Sequence, residues 1–316
     1  MKRTSVTKLA VVSVIASFLL VVVLYGCQPR PSSGIAVRVI ATQNFGNELM
    51  LDASVRVSAG ANALDALEKV AAVETRYGGG FVEGINGICS QYSQTKVKKD
   101  WFFYVNGMSA NVGGLSYKLC DGDVEHWDFH DWSLHAFAPA IIGDFPQPFL
   151  GGYQAVISPT IIVYDEGFRS AAKVLESRLD ELGVKNVRMA GPESSAYSKE
   201  HSNLILVGTE NFDPISELNG NRKLRFYIQL EEGEVVVYDS HGSEHRHESE
   251  CGLIQATQNP WNPRGISACE NVAWMVSGTN GSQVENAAAI LANHYEEFQY
   301  ASAAVIVGEE VIKVPQ

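Results

Sequence analysis

The sequence predicts a small α+β domain followed by an α/β domain with a mostly parallel sheet. Three observations carry that expectation. Short alternating or β-branched runs crowd residues 35–137, with one amphipathic stretch among them. From about residue 153, continuous apolar runs alternate with helical periods over residues 153–316, the pattern of a sheet covered on both faces. Between the two, Pro139 to Gly152 mixes Pro, Gly and aromatic residues without either period and marks a linker over 138–152.

Residues 1–26 read as an export signal. Lys2, Arg3 and Lys8 precede an uncharged apolar run from Leu9 to Leu24, and the run ends at Tyr25-Gly26-Cys27. A cysteine directly after the small residue points to lipidation of Cys27, with residues 27–34 as a short Pro- and Ser-containing tether. An uncleaved transmembrane anchor and plain secretion are the alternatives, because the run could nearly span a bilayer. Each of the three places the rest of the chain outside the cytoplasm; lipidation would hold it on the outer face of the cytoplasmic membrane.

In the first domain, Ile35 to Ala41 and Leu49 to Val57 read as paired strands. Ser58 can cap a helix from about Ala61 to Val73, with Leu64, Leu67 and Val70 on its apolar face. Strands are expected at Phe81 to Ile85, at Trp101 to Val105, and from Tyr117 to Phe129 around an Asp121-Gly122-Asp123 turn. A small sheet crossed by one helix is a β-grasp-like arrangement. In the second domain, strands are expected at Thr160 to Tyr164, Leu204 to Val207 and Val272 to Val276. A hairpin should turn at Glu232-Gly233, and helices should cover Gly167 to Leu182 and Ser282 to Phe298, the second with His294 inward.

Charge excludes one class of partner. The 316 residues hold 24 Lys and Arg against 36 Asp and Glu. The leader takes three of the basic residues and none of the acidic ones, leaving 21 against 36, a net charge of −15. Nucleic acid and anionic lipid both require a basic surface. Setting Cys27 aside leaves Cys89, Cys120, Cys251 and Cys269. An even number in an exported chain suggests two disulfides, with nearest-neighbour pairing the simplest of three connectivities.

The first domain also carries an ordered set of motifs. Leu64-Asp65-Ala66-Leu67-Glu68 is followed by Gly80-Phe81-Val82 and Ile85-Asn86-Gly87. Next come Trp101-Phe102-Phe103-Tyr104-Val105-Asn106-Gly107, then Asp121-Gly122-Asp123 and Trp127. This set resembles the domain family similar to the C-terminal domain of transcobalamin and intrinsic factor, over about a third of the chain. The resemblance implies a β-grasp-like fold, with a domain that closes over one side of a corrin ring. It makes Trp101, Phe103, Tyr104, Asn106, Gly107 and Trp127 the ligand-binding candidates, with the core of a small sheet as the alternative role of the aromatics, although nothing else here resembles the helical barrel that completes the site in the cobalamin carriers. In the second domain, Asn203 to Gly208, Gln258-Asn259-Pro260 and Trp274 to Thr279 are similar to segments of archaeal surface-layer proteins.

Two histidine groups could bind a metal. On a strand, His126, Asp128 and His130 share one face and Trp127 and Phe129 the other, so the polar trio is expected outward and the aromatics inward. His241, His245 and His247 fall between two expected strands and read as an exposed loop. The plainer alternatives are a solvated strand face and a polar loop. Neither a GxSxG elbow nor a Cys-His nucleophile pattern is present in the sequence. These features imply a lipid-anchored extracytoplasmic binding protein without catalytic activity. It would capture a corrinoid or another small ligand for uptake, with a divalent metal as a further ligand and a membrane transporter or surface-layer components as partners. A structural or adhesive envelope protein is the alternative, and a metal-dependent hydrolase a third.

Overall fold

A computed structural model describes residues 34–91, 97–193, 201–247 and 250–316. The leader, Cys27 and the tether as far as Ser33 lie outside the described residues. β1 (Ile35–Gln43) and β2 (Glu48–Val57) form an antiparallel hairpin with a register shift at Ala41/Thr42. The first helix, α1 (Ala63–Leu67), spans five residues where the sequence suggested a longer one from Ala61. Its cap is Asn62 and not Ser58. The Asn62 side chain accepts from the Asp65 amide at 3.0 Å, and the Asp65 carboxylate accepts from the Asn62 amide at 2.8 Å. The helix stops early because the following residues pair elsewhere: Ala72 and Asn86 exchange two hydrogen bonds, and Val73 enters a strand.

That strand, β3 (Val73–Arg76), joins β4 (Phe81–Ile85) and β5 (Ile88–Cys89) in a small three-stranded sheet. β6 (Lys99–Val105), β7 (Met108–Ser109) and β8 (Val124–Asp131) complete the first large sheet, in the order β2-β1-β8-β6-β7. β8 runs parallel to β1 and antiparallel to β6, which makes it an interior strand.

The second half supplies β9 (Thr160–Tyr164), α2 (Arg169–Glu181), β10 (Val187–Ala190), β11 (Asn203–Val207) and α3 (Asp213–Gly220). A hairpin of β12 (Ile228–Glu231) and β13 (Glu234–Tyr238) is extended by β14 (Glu244–His247) into a three-stranded sheet. Then follow β15 (Gly252–Gln258), β16 (Val272–Gly278), α4 (Gly281–Asn293), β17 (Ala303–Val307) and β18 (Glu310–Val314). The seven-stranded sheet has the order β10-β9-β11-β16-β15-β17-β18. Its first four strands are mutually parallel and its last three pair antiparallel, so the sheet is mixed and not mostly parallel as expected. α4 ends at Asn293, and His294 is exposed.

Strand alternation sorts the core into two layers. Ile162, Ile205 and Trp274 face α2 and α4, meeting Ala172, Leu175, Val284 and Leu291. Ile161, Leu204 and Met275 face the other way, against Ile215 and Leu218 of α3 and Val235 and Val237 of β13. The first layer is continuous with the core of the five-stranded sheet, including Trp127 and Phe129. Residues 138–152, placed by the sequence between two domains, are packed rather than exposed. Ile141, Ile142 and Phe149 are buried, and Phe149 lies 5.3 Å from the Trp274 ring. A Cβ at Gly143 would sit 2.2 Å from the Tyr300 carbonyl carbon, so this close crossing of two backbones requires glycine.

The expected disulfides are not formed: Cys89, Cys120, Cys251 and Cys269 are all free. Cys251 precedes β15 beside Thr279, whereas Cys269 donates to the Ser109 carbonyl at the far end of the same strand pair. Seven strand residues put about 20 Å between these ends, and a disulfide tolerates a Cα separation of roughly 7 Å at most.

Candidate functional site

The two histidine groups meet opposite fates. β8 is buried at every position, so the face expected to meet solvent does not. Glu125, Trp127 and Phe129 point to one side and His126, Asp128 and His130 to the other, as alternation requires. The second face is covered by Tyr104 of the neighbouring strand, by Ile141 of the connecting segment, and by Phe45, Tyr227, Tyr300 and Ser302 from parts of the chain far away in sequence. Between them remains a cavity of about 10 Å³, room for no more than about one water molecule.

A hydrogen-bonded chain fills this layer. Asp144, on the connecting segment, lies 2.9 Å from His126 Nδ1 and also accepts from the Gly107 amide at 2.9 Å. His126 Nε2 is 2.9 Å from Thr42 Oγ1, which lies 2.6 Å from Asp128 Oδ1. Thr42 has one hydroxyl proton, so it donates to Asp128 or to His126 but not to both. Asp128 further accepts from the Phe45 and Gly46 amides at 3.0 Å each and faces His130 Nδ1 at 2.6 Å. Burial alone would raise the Asp128 pKa, but these bonds, His130 first among them, hold it below its ordinary value. The His130 ring is stacked between Phe45 and Phe102, each 4.1 Å away, and its Nε2 has no hydrogen-bond partner. This trio is therefore a buried brace linking β1, β8 and residue 144, with no opening for a ligand.

On the other face, Trp127 Nε1 donates to Glu125 Oε1 at 2.6 Å, while Glu125 Oε2 is buried without a partner. Burial pushes the Glu125 carboxyl well above its ordinary pKa, against the Trp127 hydrogen bond and with the nearby Asp123 charge. The aromatic candidates belong to this core. Trp101 and Trp127 are buried, and half-buried Phe103 stacks on Trp127 at 4.4 Å, whereas buried Tyr104 points to the opposite face, beside His126 and Asp128. Asn106 and Gly107, at φ of 51° and 76°, form the two-residue turn between β6 and β7. The Asn106 amide donates to Asp123 at 2.9 Å and to the Gly152 carbonyl at 2.7 Å, and its oxygen accepts from the Val124 amide at 2.8 Å. These residues hold the sheet to the connecting segment and present no open platform.

The second histidine group is partly a strand and not a loop. His241 sits in a turn capped by Asp239, with its Nε2 3.6 Å from Asp131. His245 and His247 lie on β14 opposite Val237 and Val235. Both line a groove of about 380 Å³ between β14 and β18, floored by Val237, Ile312 and Val314 and rimmed by Asp239 and Glu310. That volume falls within the range of roughly 300–1,000 Å³ that holds small ligands. Two other surface depressions are larger but polar. One lies along α2 around Lys173, Glu176 and Asp180, and the other among Glu231, Glu232, Glu234 and Arg246, where Arg246 already pairs with two of the glutamates. Among the described residues, no group of three or more His, Cys, Asp or Glu converges on a metal position.

Residues 60–131 match the model of a family described as a domain of unknown function, DUF4430. That is the segment carrying the whole motif set, and the groove lies outside it. The chain is similar in part to haptocorrin in complex with Cbi, at 20% identity and a TM-score of 0.27. The match covers 33% of this chain and 27% of haptocorrin, so the chain spans about a quarter of that protein's length. It is also similar to a protein from Ruminococcus gnavus ATCC 29149 whose description proposes metal binding. There the identity is 18% and the TM-score 0.23, with 31% of this chain and 96% of that one covered. No curated protein matches the chain.

Proposed function

We propose that the chain is an extracytoplasmic binding protein, tethered to the outer face of the cytoplasmic membrane through Cys27, that captures a small ligand in the groove between β14 and β18. The single observation that carries the reading is the groove itself: an apolar floor of Val237, Ile312 and Val314 beside two imidazoles that point into it. A corrinoid is the ligand class that joins this site to the motif set of the first half. Its ring would offer an apolar edge to the floor, and His245 or His247 would supply a nitrogen donor to its cobalt. The strand order β2-β1-β8-β6-β7, with β1 and β8 parallel and a short helix after the first hairpin, supports a β-grasp-like reading of that half. In this scheme the five-stranded sheet acts as a rigid support, and the bound ligand passes to a membrane transporter.

The test is retention of cobinamide by the full chain purified in detergent. The expected result is a visible spectrum that shifts on binding, survives desalting and is lost in a His245→Ala, His247→Ala double variant. A spectrum identical to free cobinamide, with none retained, would overturn the corrinoid assignment. It would favour the alternative of an adhesive or structural envelope protein.

A further inference from the structure

Six residues were candidate metal ligands from sequence, and the structure separates one pair from the rest. His126 and His130 are each engaged by a buried carboxylate, and His241 faces Asp131 and Ser240. For the imidazoles of His245 and His247 no hydrogen-bond or ion-pair partner exists among the described residues. They sit two residues apart on β14, which pairs on one side only, with β13. Both side chains therefore emerge on the same face, about 6.7 Å apart along the strand.

We infer that His245 and His247 form a two-imidazole chelate for a divalent transition-metal ion of the copper, nickel or zinc class. An imidazole nitrogen bonds such ions at about 2.0–2.1 Å. Two rings leaning together from alternate positions of one strand can therefore meet on one ion without moving the backbone. Imidazole selects this class over calcium and magnesium, which demand oxygen ligands. The rim adds Asp239 and Glu310, whose negative charge draws a cation into the groove. Asp239 stays ionised: slight burial works against it, but the amides of Ser243 and His241 hold its pKa below the ordinary value. Two protein ligands leave coordination positions open. The apolar floor lies directly beside them, so the metal would hold donor atoms of an organic ligand whose body covers Val237, Ile312 and Val314.

The inference does not depend on corrinoid capture. A chain that binds free Cu²⁺ or Zn²⁺ but not cobinamide retains this site and loses that assignment; the reverse result does the opposite. The experiment is titration of the full chain in detergent, purified without a histidine tag, with Cu²⁺ and Zn²⁺ by calorimetry and with Cu²⁺ by electron paramagnetic resonance. The expected result is one ion per chain, with nitrogen hyperfine structure from two imidazoles. Removing a hydrogen-bond partner of a metal ligand costs about 10–100-fold in affinity. His245→Ala and His247→Ala, which remove a ligand itself, should each cost at least that. His241→Ala serves as a control and should leave affinity unchanged. Because β14 is an exposed edge, the variants should keep the wild-type melting curve, which excludes misfolding as a cause. Cu²⁺ affinity unaltered in the double variant, or a spectrum without two-nitrogen coupling, would overturn the assignment.

Discussion

Glu125 is a carboxyl group placed where its charge costs stability, and replacing it with glutamine should reveal the cost as a pH dependence. The residue is fully buried beside Trp127, with Oε2 unpartnered and a pKa raised well above the ordinary value. The folded chain thus holds a proton that the unfolded chain releases above its own pKa. In that interval the native state binds more protons, so stability falls as pH rises, until pH passes the folded pKa. While pH lies between the unfolded and folded pKa values the slope is about 1.36 kcal/mol per pH unit. In Glu125→Gln the amide oxygen can still accept from Trp127. Its NH₂ takes the place of the orphaned oxygen, at a pH-independent cost of about 1–3 kcal/mol. The offset between the two proteins is therefore not diagnostic, whereas its change with pH is. Urea unfolding of both proteins from about pH 4.5 to 7.5 should give a difference that moves in the variant's favour as pH rises. A difference flat across that range would refute the reasoning, since all other titrating groups are common to both.

Two further outcomes follow from the same accounting of buried polar groups. Asn106→Ala removes the side chain that serves Asp123, Val124 and the Gly152 carbonyl at a positive-φ turn. It should lower the unfolding free energy by about 3 kcal/mol or more, read from urea curves, and a loss under about 1 kcal/mol would contradict that role. Because Cys89, Cys120, Cys251 and Cys269 are free, reductant should leave the melting temperature unchanged, and all four should be alkylated in denaturant without prior reduction. A drop in melting temperature on reduction would show instead that the thiols pair.

Local pattern made much of the fold legible, and long-range pairing accounts for the rest. Strands with clean alternation or continuous β-branched runs, such as β1, β2, β4 and β9, fall where the sequence suggested. β15 was not foreseen because Gln255, Thr257 and Gln258 break its apolar run, yet all three are buried in the sheet. Gln258 is accommodated by donating to the Ser109 and Pro139 carbonyls at 3.2 Å each, a partnership no local window contains. Missing β15 and the β17–β18 hairpin is what made the sheet read as mostly parallel. Likewise, alternation sorts β8 into two faces but cannot say which meets water. Burying the polar face depends on Tyr227, Tyr300 and Ser302, more than 90 residues away in the chain.

The histidines show why composition alone could not separate brace from site. His126-x-Asp128-x-His130 and His245-x-His247 have the same strand spacing, and each would place its imidazoles on one face. The difference lies in what each strand has beside it. β8 has a neighbour on both edges and a covering layer on both faces, so its polar groups depend on partners within the protein: His126 and Asp128 find them in Thr42, Asp144 and two backbone amides, while His130 Nε2 and Glu125 Oε2 find none. β14 closes a three-stranded sheet and pairs with β13 alone. Solvent satisfies its imidazoles, and nothing in the fold obliged them to bond to another residue. Both still face an apolar floor continuous with the core around Val237 and Val314. An unpartnered donor pair is cheap to keep where water reaches it, and open to a ligand there for the same reason. The strand's Val235 and Val237 partners were visible in the sequence as part of the β-branched run that follows the Glu232-Gly233 turn. The period-2 spacing of His245 and His247 past the turn at residues 239–242 is the one local signal that a further strand pairs with that run.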